Sequence, residues 1–519
     1  MTHSAAAPRP SRIHRAARVR LSMPLLLLAL GLAPLATGLT ACAQPADTWT
    51  VSEETVTWDD GTSVTFGRGA LRVPVNRARG TAATIPVEVA VFRRTADASA
   101  EVPPIFVLRG GPGYPGIDGE LDSSNYYRFF IRPFLGTTDM IFVGQRGFGT
   151  SYDTPCEDRE ALSLADSFDD ALREQANRAA MDRCRAAWEA TGLDLAGFNA
   201  IEAAADVADA ARALGYDQIQ LFASSYGSHI GMTVMRDHPD LVARATLNAL
   251  EGPDHTYDDP DGLVRALKAV AASVEADSSL APHLPDEGLL EAYQALIQRA
   301  DTAPLVVDLE HPDTGDSIRV RLDGDDFRQL VLGVTSNLSV RFGMPAWPTD
   351  LLTILAGDYQ AAAERILRAN TRTRQRNAAF WQLDCGSGIT ATRRDRYLAA
   401  AGTALVGPAG QMYENACSVW ASDLGDAFRT GFTSDIPVVL THGTWDLSTP
   451  LENALELLPD FSVRHLVTIE GGSHIAVWEA TEVDLDFEAA LLHWLATGDT
   501  SQLPERVVLP PMRWQVPEE

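Results

Sequence analysis

Four separated segments carry residue types that together suit nucleophilic attack on a carbonyl group. Ser225 lies in Ala223-Ser224-Ser225-Tyr226-Gly227, directly after the strand pattern Gln218 to Phe222 and before a helical pattern, Tyr226 to Arg236. A sharp strand-to-helix turn lifts a serine Oγ out of the backbone, and small residues two before and two after it let strand and helix approach closely. A tetrahedral intermediate needs N–H donors held about 3 Å from its oxyanion before reaction begins. Arg109-Gly110-Gly111-Pro112-Gly113 follows the apolar run 104–108, so the Gly111 amide is the expected first donor and the Tyr226 amide the second. Asp446 follows the strand-like run 437–441 in a turn containing Gly443, placed to accept an imidazole Nδ1–H. His474, after Gly471-Gly472-Ser473, is the expected base, its Nε2 taking the serine proton and returning it to the leaving group.

Each motif alone is weak. A serine between small residues is more often an ordinary turn, and a lone aspartate or histidine more often a cap or a surface residue. The order Ser…Asp…His, with Asp446 and His474 separated by 28 positions, is what raises the combination above its parts. His442 and His255 are alternative bases. His442, beside Asp446 on a strand end, reads as packing or capping, and His255 precedes the acid. The glycine run at 110–113 is not a phosphate loop, because neither GxGxxG nor GK[ST] follows.

The elements that must position these residues alternate. Short apolar runs at 104–108 and 140–143 suit parallel strands buried on both faces, and 218–222 and 243–247 also read as strands. A helical pattern at 203–214, ending at Gly215, separates two of them, so the expected fold is α/β, a mostly parallel doubly wound sheet. Asp59-Asp60-Gly61 reads as a hairpin turn, and 157–192 reads as polar with helical spacing. From 256 to 430 helical patterns dominate, apart from strand signals at 305–309 and 318–322. Strand signals return at 437–441 and 464–469, followed by a last helix over 483–495. Residues 47–255 are therefore read as the first part of the core, 256–430 as a helical cap inserted over the site, and 431–519 as the second part, bearing acid and base.

The chain of 519 residues has a formal net charge of −28, which repels phosphate backbones and argues against nucleic acid as a partner. Arg9, Arg12, Arg15, Arg18 and Arg20 precede an apolar stretch from Met23 to Leu39. Residues 1–42 thus read as a signal peptide. The stretch ends Leu39-Thr40-Ala41-Cys42, similar to a bacterial lipobox, which would make Cys42 the lipid-bearing first residue of a mature protein. The membrane is then a partner through that lipid. Ala43 after it matches sorting to the outer membrane or retention on the periplasm-facing cell envelope. Cys156, Cys184, Cys385 and Cys417 remain, and an exported chain favours disulfides between them. Four cysteines allow three connectivities. The sequential one, Cys156–Cys184 and Cys385–Cys417, keeps each pair within one local region. A metal site is disfavoured, since neither pair has CxxC spacing.

Taken together, the GGPG segment, Ser225-Tyr226-Gly227, Asp446…Thr449-Pro450, and Gln145-Arg146-Gly147-Phe148-Gly149-Thr150-Ser151 resemble the proline iminopeptidase and tripeptidyl aminopeptidase branch of the α/β-hydrolases, with a TAP-like C-terminal region. Leu71 to Val75, Trp347-Pro348, Gly357-Asp358, Cys385, Cys417 and Trp420 extend the likeness over roughly 65–480. The resemblance implies an α/β-hydrolase fold, hydrolysis without metal or organic cofactor, and a cap over the site. Three positions depart from it: Gly144 stands in place of aspartate, Arg109 of histidine, and Ala223 of glycine. The expected function is an exported serine hydrolase acting on a peptide or ester, first of all an aminopeptidase, with an esterase or lactonase as the alternative. A lipid-anchored binding protein that lost catalysis is a further alternative, which the intact Ser225, Asp446 and His474 oppose. Epoxide hydrolases and dehalogenases need a carboxylate where Ser225 stands. Glu251 and Asp254, just after a strand, are the acids nearest to hand for a substrate ammonium, although a turn or cap role is favoured for both.

Overall fold

The computed structural model describes residues 49–517 except 97, 99–100, 164–165, 258, 311–314, 316, 336–345, 372–373, 401–404, 407–410 and 421. The leader and Cys42 lie outside the described residues. Fourteen strands are described: β1 (Trp49–Thr57), β2 (Ser63–Pro74), β3 (Thr84–Phe92), β4 (Ile105–Leu108), β5 (Met140–Val143), β6 (Pro155–Arg159), β7 (Ile219–Ser225), β8 (Val242–Leu250), β9 (Leu305–Glu310), β10 (Ser317–Leu322), β11 (Arg374–Asn377), β12 (Val438–Gly443), β13 (Arg464–Glu470) and β14 (Arg506–Val508). Ten of them form one sheet in the order β1-β2-β3-β5-β4-β7-β8-β12-β13-β14. The first three and β5 pair antiparallel, and from β5 to β14 every neighbour is parallel.

The strand sequences follow from this arrangement. Every residue of β4, β5 and β12 is buried, as central parallel strands covered on both faces require. The hairpin at 59–61 joins β1 to β2, with Gly61 at φ 81° and the Thr62 amide donating to Asp60 Oδ1. The helix Ala200–Ala213 is started by Asn199, which accepts the Glu202 amide, and its alanine face is buried against the sheet.

The expected helix over 157–192 is shorter. Residues 155–159 form β6, paired antiparallel with β11, and the helix runs Asp170–Ala190 from its cap Asp169. The helix expected over 483–495 runs Leu485–Thr497 and follows a separate shorter one, Ala476–Val483. Asp484 ends the shorter helix with extended backbone and caps the longer through the Phe487 amide. The strand signals at 305–309 and 318–322 form an antiparallel hairpin, β9–β10.

All elements between β8 and β12 lie outside the ten-stranded sheet. They divide in two. Helices Pro260–Glu275, Leu289–Thr302, Gly324–Thr335, Trp347–Leu355 and Tyr359–Asn370, with β9 and β10, supply most of a second apolar cluster, which Leu405, Val406, Trp445 and Trp514 complete. Residues 374–432 instead contribute Ala378, Ala379, Trp381, Leu383, Val419 and Trp420 to the same cluster as the sheet. Cysteines pair as Cys156–Cys184 and Cys385–Cys417, with Cα separations of 5.6 and 5.1 Å. Among the described residues, no helix is long and apolar enough to cross a membrane.

Candidate active site

Ser225 is the last residue of β7 and the N-cap of the helix Tyr226–Asp237, at φ 56° and ψ −135°. A non-glycine residue at positive φ is strained and persists only where its surroundings hold it. Here the holding contacts are visible. A Cβ on Gly110 would sit 2.6 Å from the Ser225 Cβ, and one on Gly227 would sit 2.1 Å from the Leu108 carbonyl oxygen. Only glycine at both positions lets the 109–113 loop and the helix close around the serine. The Ser228 hydroxyl donates to the Ser225 carbonyl at 2.6 Å and accepts the Glu251 amide at 2.9 Å, tying the turn to the end of β8. Ala223 is accommodated because Gly231 faces it: a Cβ there would lie 3.2 Å from the Ala223 methyl.

The glycine loop is built with equal constraint. Gly111 has φ 126°, and its peptide bond to Pro112 is cis. Gln145 holds the loop from below. Its Oε1 accepts the Gly113 amide at 2.7 Å, and its Nε2 donates to the carbonyls of Arg109 at 2.7 Å and Gly110 at 3.1 Å. The neighbouring Arg146, fully buried, grips Asp206 of the helix Ala200–Ala213 with Nε and Nη2 and donates from Nη1 to the carbonyls of Val75 and Gly197. The Gln145-Arg146 pair therefore fastens the loop on one side and a sheet helix on the other. Gly144 cannot be aspartate here without a shift, since a Cβ would meet the Ser151 hydroxyl at 2.4 Å. That hydroxyl accepts the Glu88 amide.

Asp446 and His474 are brought together at the ends of β12 and β13. A Cβ on Gly443 would lie 2.2 Å from the Gly472 carbonyl oxygen, and the Trp445 amide donates to that carbonyl at 2.8 Å. His474 Nδ1 lies 3.0 Å from both oxygens of the fully buried Asp446. Asp446 Oδ1 also accepts the amides of Ser448 and Thr449, and the Thr449 hydroxyl lies 2.9 Å from Oδ2. Burial acts to raise the Asp446 pKa. The facing His474 charge and hydrogen bond outweigh it and hold the carboxyl below its ordinary value. The Thr449 hydroxyl also reaches the Ala249 carbonyl at 3.1 Å, so the acid loop is anchored to β8, the neighbour of the serine strand. The base loop is braced by the buried Glu479, which accepts the Ser473 amide at 2.7 Å and hydroxyl at 2.9 Å. Sequence reasoning missed Glu479, Gln145 as a loop brace, and Ser228. A Glu five residues past a histidine, opening a helix, was the one readable signal for the first.

Neither alternative base is the one hydrogen-bonded to Asp446. His255 Nδ1 accepts the Gly252 amide, and its Nε2 faces Glu456 at 3.6 Å. His442 is buried, which lowers its pKa, with Nδ1 3.4 Å from the Gly443 carbonyl. Of the two candidate acids, Asp254 takes the cap role. Its carboxylate accepts the Thr390 amide and hydroxyl and the Arg393 Nε. Glu251 stays beside the serine turn, and the Tyr226 hydroxyl, kept protonated first by burial, also feels Asp384 and Glu251. Among the described residues, no group of three His, Cys, Asp or Glu side chains is placed to hold a metal.

A ten-stranded, mainly parallel sheet with a serine at a strained β7-to-helix turn, and an acid and a histidine on later strand ends, is the α/β-hydrolase fold. A family model described as the alpha/beta hydrolase fold matches residues 103–276. No curated protein matches the chain significantly. Similar solved structures include a serine hydrolase from the polyaromatic hydrocarbon-degrading bacterium Cycloclasticus zankles, 13% identical over 82% of this chain and 98% of that one, with TM-score 0.34. An epoxide hydrolase from Vigna radiata is 14% identical over 82% and 97%, with TM-score 0.32. A proline iminopeptidase-related protein from Thermus thermophilus is 15% identical over 83% and 97%, with TM-score 0.36. Likeness at this level speaks to neither substrate nor reaction.

Proposed function

We propose that this protein is an exported serine hydrolase that cleaves acyl bonds through Ser225, His474 and Asp446, and that its substrates are peptides with a free N-terminus. The observation carrying the reading is Ser225 held at positive φ on a strand-to-helix turn, in a sheet whose later strand ends present a hydrogen-bonded Asp446–His474 pair. In this mechanism His474 Nε2 takes the Ser225 hydroxyl proton as Oγ attacks the carbonyl carbon. Asp446 keeps the Nδ1 tautomer and stabilises the imidazolium. The amides of Gly111 and Tyr226 receive the oxyanion. His474 then protonates the leaving amine, and water releases the acyl group by the same steps in reverse roles.

Support for a peptide with a free amine comes from the resemblance to aminopeptidases and from the acid Glu251 beside the serine turn. Residues 1–42 are assigned as a lipoprotein signal, with Cys42 as the anchor holding the enzyme to the cell envelope. Two measurements test the reading. Ser225→Ala is expected to lower turnover by orders of magnitude while leaving the circular dichroism spectrum unchanged, and full activity in that variant refutes the nucleophile. A panel of aminoacyl and tripeptidyl amides, their N-acetylated forms and p-nitrophenyl esters decides the substrate. Cleavage of free-amine substrates alone supports the aminopeptidase, and turnover of esters alone assigns an esterase or lactonase. Cys42→Ala should move the protein from the membrane fraction to the soluble one.

A further inference from the structure

Arg109 opens the glycine loop, and its side chain runs away from the loop into an aromatic setting. Its Nη2 lies 2.7 Å from Glu120 Oε1. Its guanidinium carbon lies 5.3 Å from the ring centroid of Trp478, 5.5 Å from that of Tyr126 and 5.9 Å from that of Tyr114. A guanidinium stacks on such rings more strongly the less water surrounds it, and its planar fork fixes the direction of the ion pair. Trp478 sits in the first turn of the helix Ala476–Val483, four residues beyond His474 and next to Glu479, which braces the His474 loop. The Trp478 ring is itself wedged against Phe130 and Phe222. The backbone carbonyl of the same Arg109 is held by Gln145.

One side chain thus spans two parts of the site that come from opposite ends of the sequence: the loop bearing Gly111 and the helix following His474. We propose that Arg109 is a positioning residue that sets the distance between the oxyanion donor on its own loop and the imidazole of His474, with Trp478 as its partner. The assignment rests on the serine-hydrolase reading above. A role in binding an anionic part of the substrate is the competing use of an arginine here. The guanidinium, however, is already paired with Glu120 and only a quarter exposed.

The experiment measures the rate of covalent labelling of the full-length protein by a fluorophosphonate, together with kcat and KM on whichever substrate of the panel is cleaved. Variants are Arg109→Met, Arg109→Lys, Trp478→Leu and the Arg109→Met/Trp478→Leu double variant. Displacement of a positioned group by about 1 Å costs on the order of 10²-fold in rate. Arg109→Met and Trp478→Leu should each slow labelling and kcat by about that factor with KM unchanged. The double variant should be no slower than the slower single one, because both changes break the same link. Arg109→Lys should recover part of the loss. The proposal is overturned if Arg109→Met labels at the wild-type rate, if the two losses multiply, or if the loss falls on KM for anionic substrates alone. Should Arg109→Met fail to fold, Glu120→Gln paired with Trp478→Leu carries the same cycle. If the wild type does not label, or Ser225→Ala labels equally, the serine-hydrolase reading fails instead, before any Arg109 variant is measured.

Discussion

The two halves of the segment between β8 and β12 are attached to the sheet by different means. The half formed by residues 260–367 has its own apolar cluster, in which Trp347, Tyr293 and Phe327 are fully buried. That cluster also takes in Leu405 and Val406 of the other half and Trp445 and Trp514 of the core, with Phe168, Leu447 and Met512 packed against it, while Gly262 packs on Pro450 and Arg265 pairs with Glu452. The half formed by residues 374–432 is fused to the sheet layer. Trp381 is buried in the sheet's cluster and donates to Asp158 Oδ2 at 3.1 Å, Arg374 pairs with the same carboxylate, and Cys385–Cys417 ties its helices together. Ser387 lies 2.9 Å from Nε2 of His229, on the helix that begins at Ser225. Two helix-bearing stretches of one insertion therefore have unequal roles. The second half is part of the wall behind the serine turn, whereas the first is a separately cored body resting beside the acid loop.

The sharpest way to break this comparison is a matched pair of tryptophan truncations. Trp381→Ala and Trp347→Ala each remove a fully buried ring, and each should cost about 3–5 kcal/mol of packing where it stands. Their consequences for the site should diverge. Trp381→Ala should lower global stability in guanidinium melts and slow fluorophosphonate labelling of Ser225. Trp347→Ala should loosen its own half, detected by limited proteolysis within 260–367, and leave labelling by a small probe near the wild-type rate. Equal effects on labelling would show that the halves act as one.

Removing the Cys385–Cys417 link comes next in size. It closes a segment with sequence separation 32, and its loss through Cys385→Ser/Cys417→Ser should cost about 2–4 kcal/mol, read from the denaturation midpoint. Because the same helix carries Ser387 to His229, catalytic rate should fall with stability. A stability loss with kcat untouched would separate the wall from the serine turn.

The sequence made the placement of the candidate site residues legible for physical reasons that do not extend to this division. β4, β5 and β12 are short and buried on both faces, so their apolar runs stand out; the loops carrying Gly111 and Asp446 follow β4 and β12 directly, and Ser225 and His474 follow the strand patterns of β7 and β13. The cysteines nearest in sequence are also nearest in space. By contrast, β6 (PCEDR) and β11 (RQRN) are polar strands whose pairing joins residues more than 200 positions apart, and no local pattern announces such a partner. Apolar helical spacing likewise looks the same whether the face meets the sheet or a neighbouring helix, so 256–430 read as one insertion. Gln145 was visible only as part of a motif; its hold on the 109–113 carbonyls and amide is a property of the fold.

A polar clasp joins the second half to the core, and pH tests it. Arg393 bridges Asp254 and Glu456, and His255 faces Glu456. Glu456 is pulled down to about 2, first by the His255 imidazole that faces it and then, against burial, by Arg393. A depressed carboxylate stabilises the fold above its usual 4.5, and that stability is lost as pH falls towards about 2. Burial lowers the pKa of His255, so protonation of the unfolded chain below its usual 6.5 acts in the same direction. Arg393→Met should lower Tm at pH 7 and flatten the acid limb between pH 4.5 and 2, with the two proteins converging at the low end. A constant offset at every pH would deny the clasp its charge dependence.

The smallest effect belongs to the first half. Asp326, buried in the opening turn of the helix Gly324–Thr335, is pushed up to about 7, chiefly by burial and next by the charge of Asp323. A raised carboxyl contributes its full stability below the usual 3.8 and loses it as pH rises through about 7. Its Oδ2 accepts the Asp323 amide at 3.1 Å, a bond that an asparagine oxygen retains. Asp326→Asn should therefore leave Tm unchanged near pH 3.5, gain progressively above pH 4, and level off above pH 7 at a rise of a few °C. The gain should appear in the 260–367 half, as slower proteolysis there at pH 8, with no change in Ser225 labelling. A gain of the same size at pH 3.5 would assign it to helix propensity or packing instead of the relief of a buried charge.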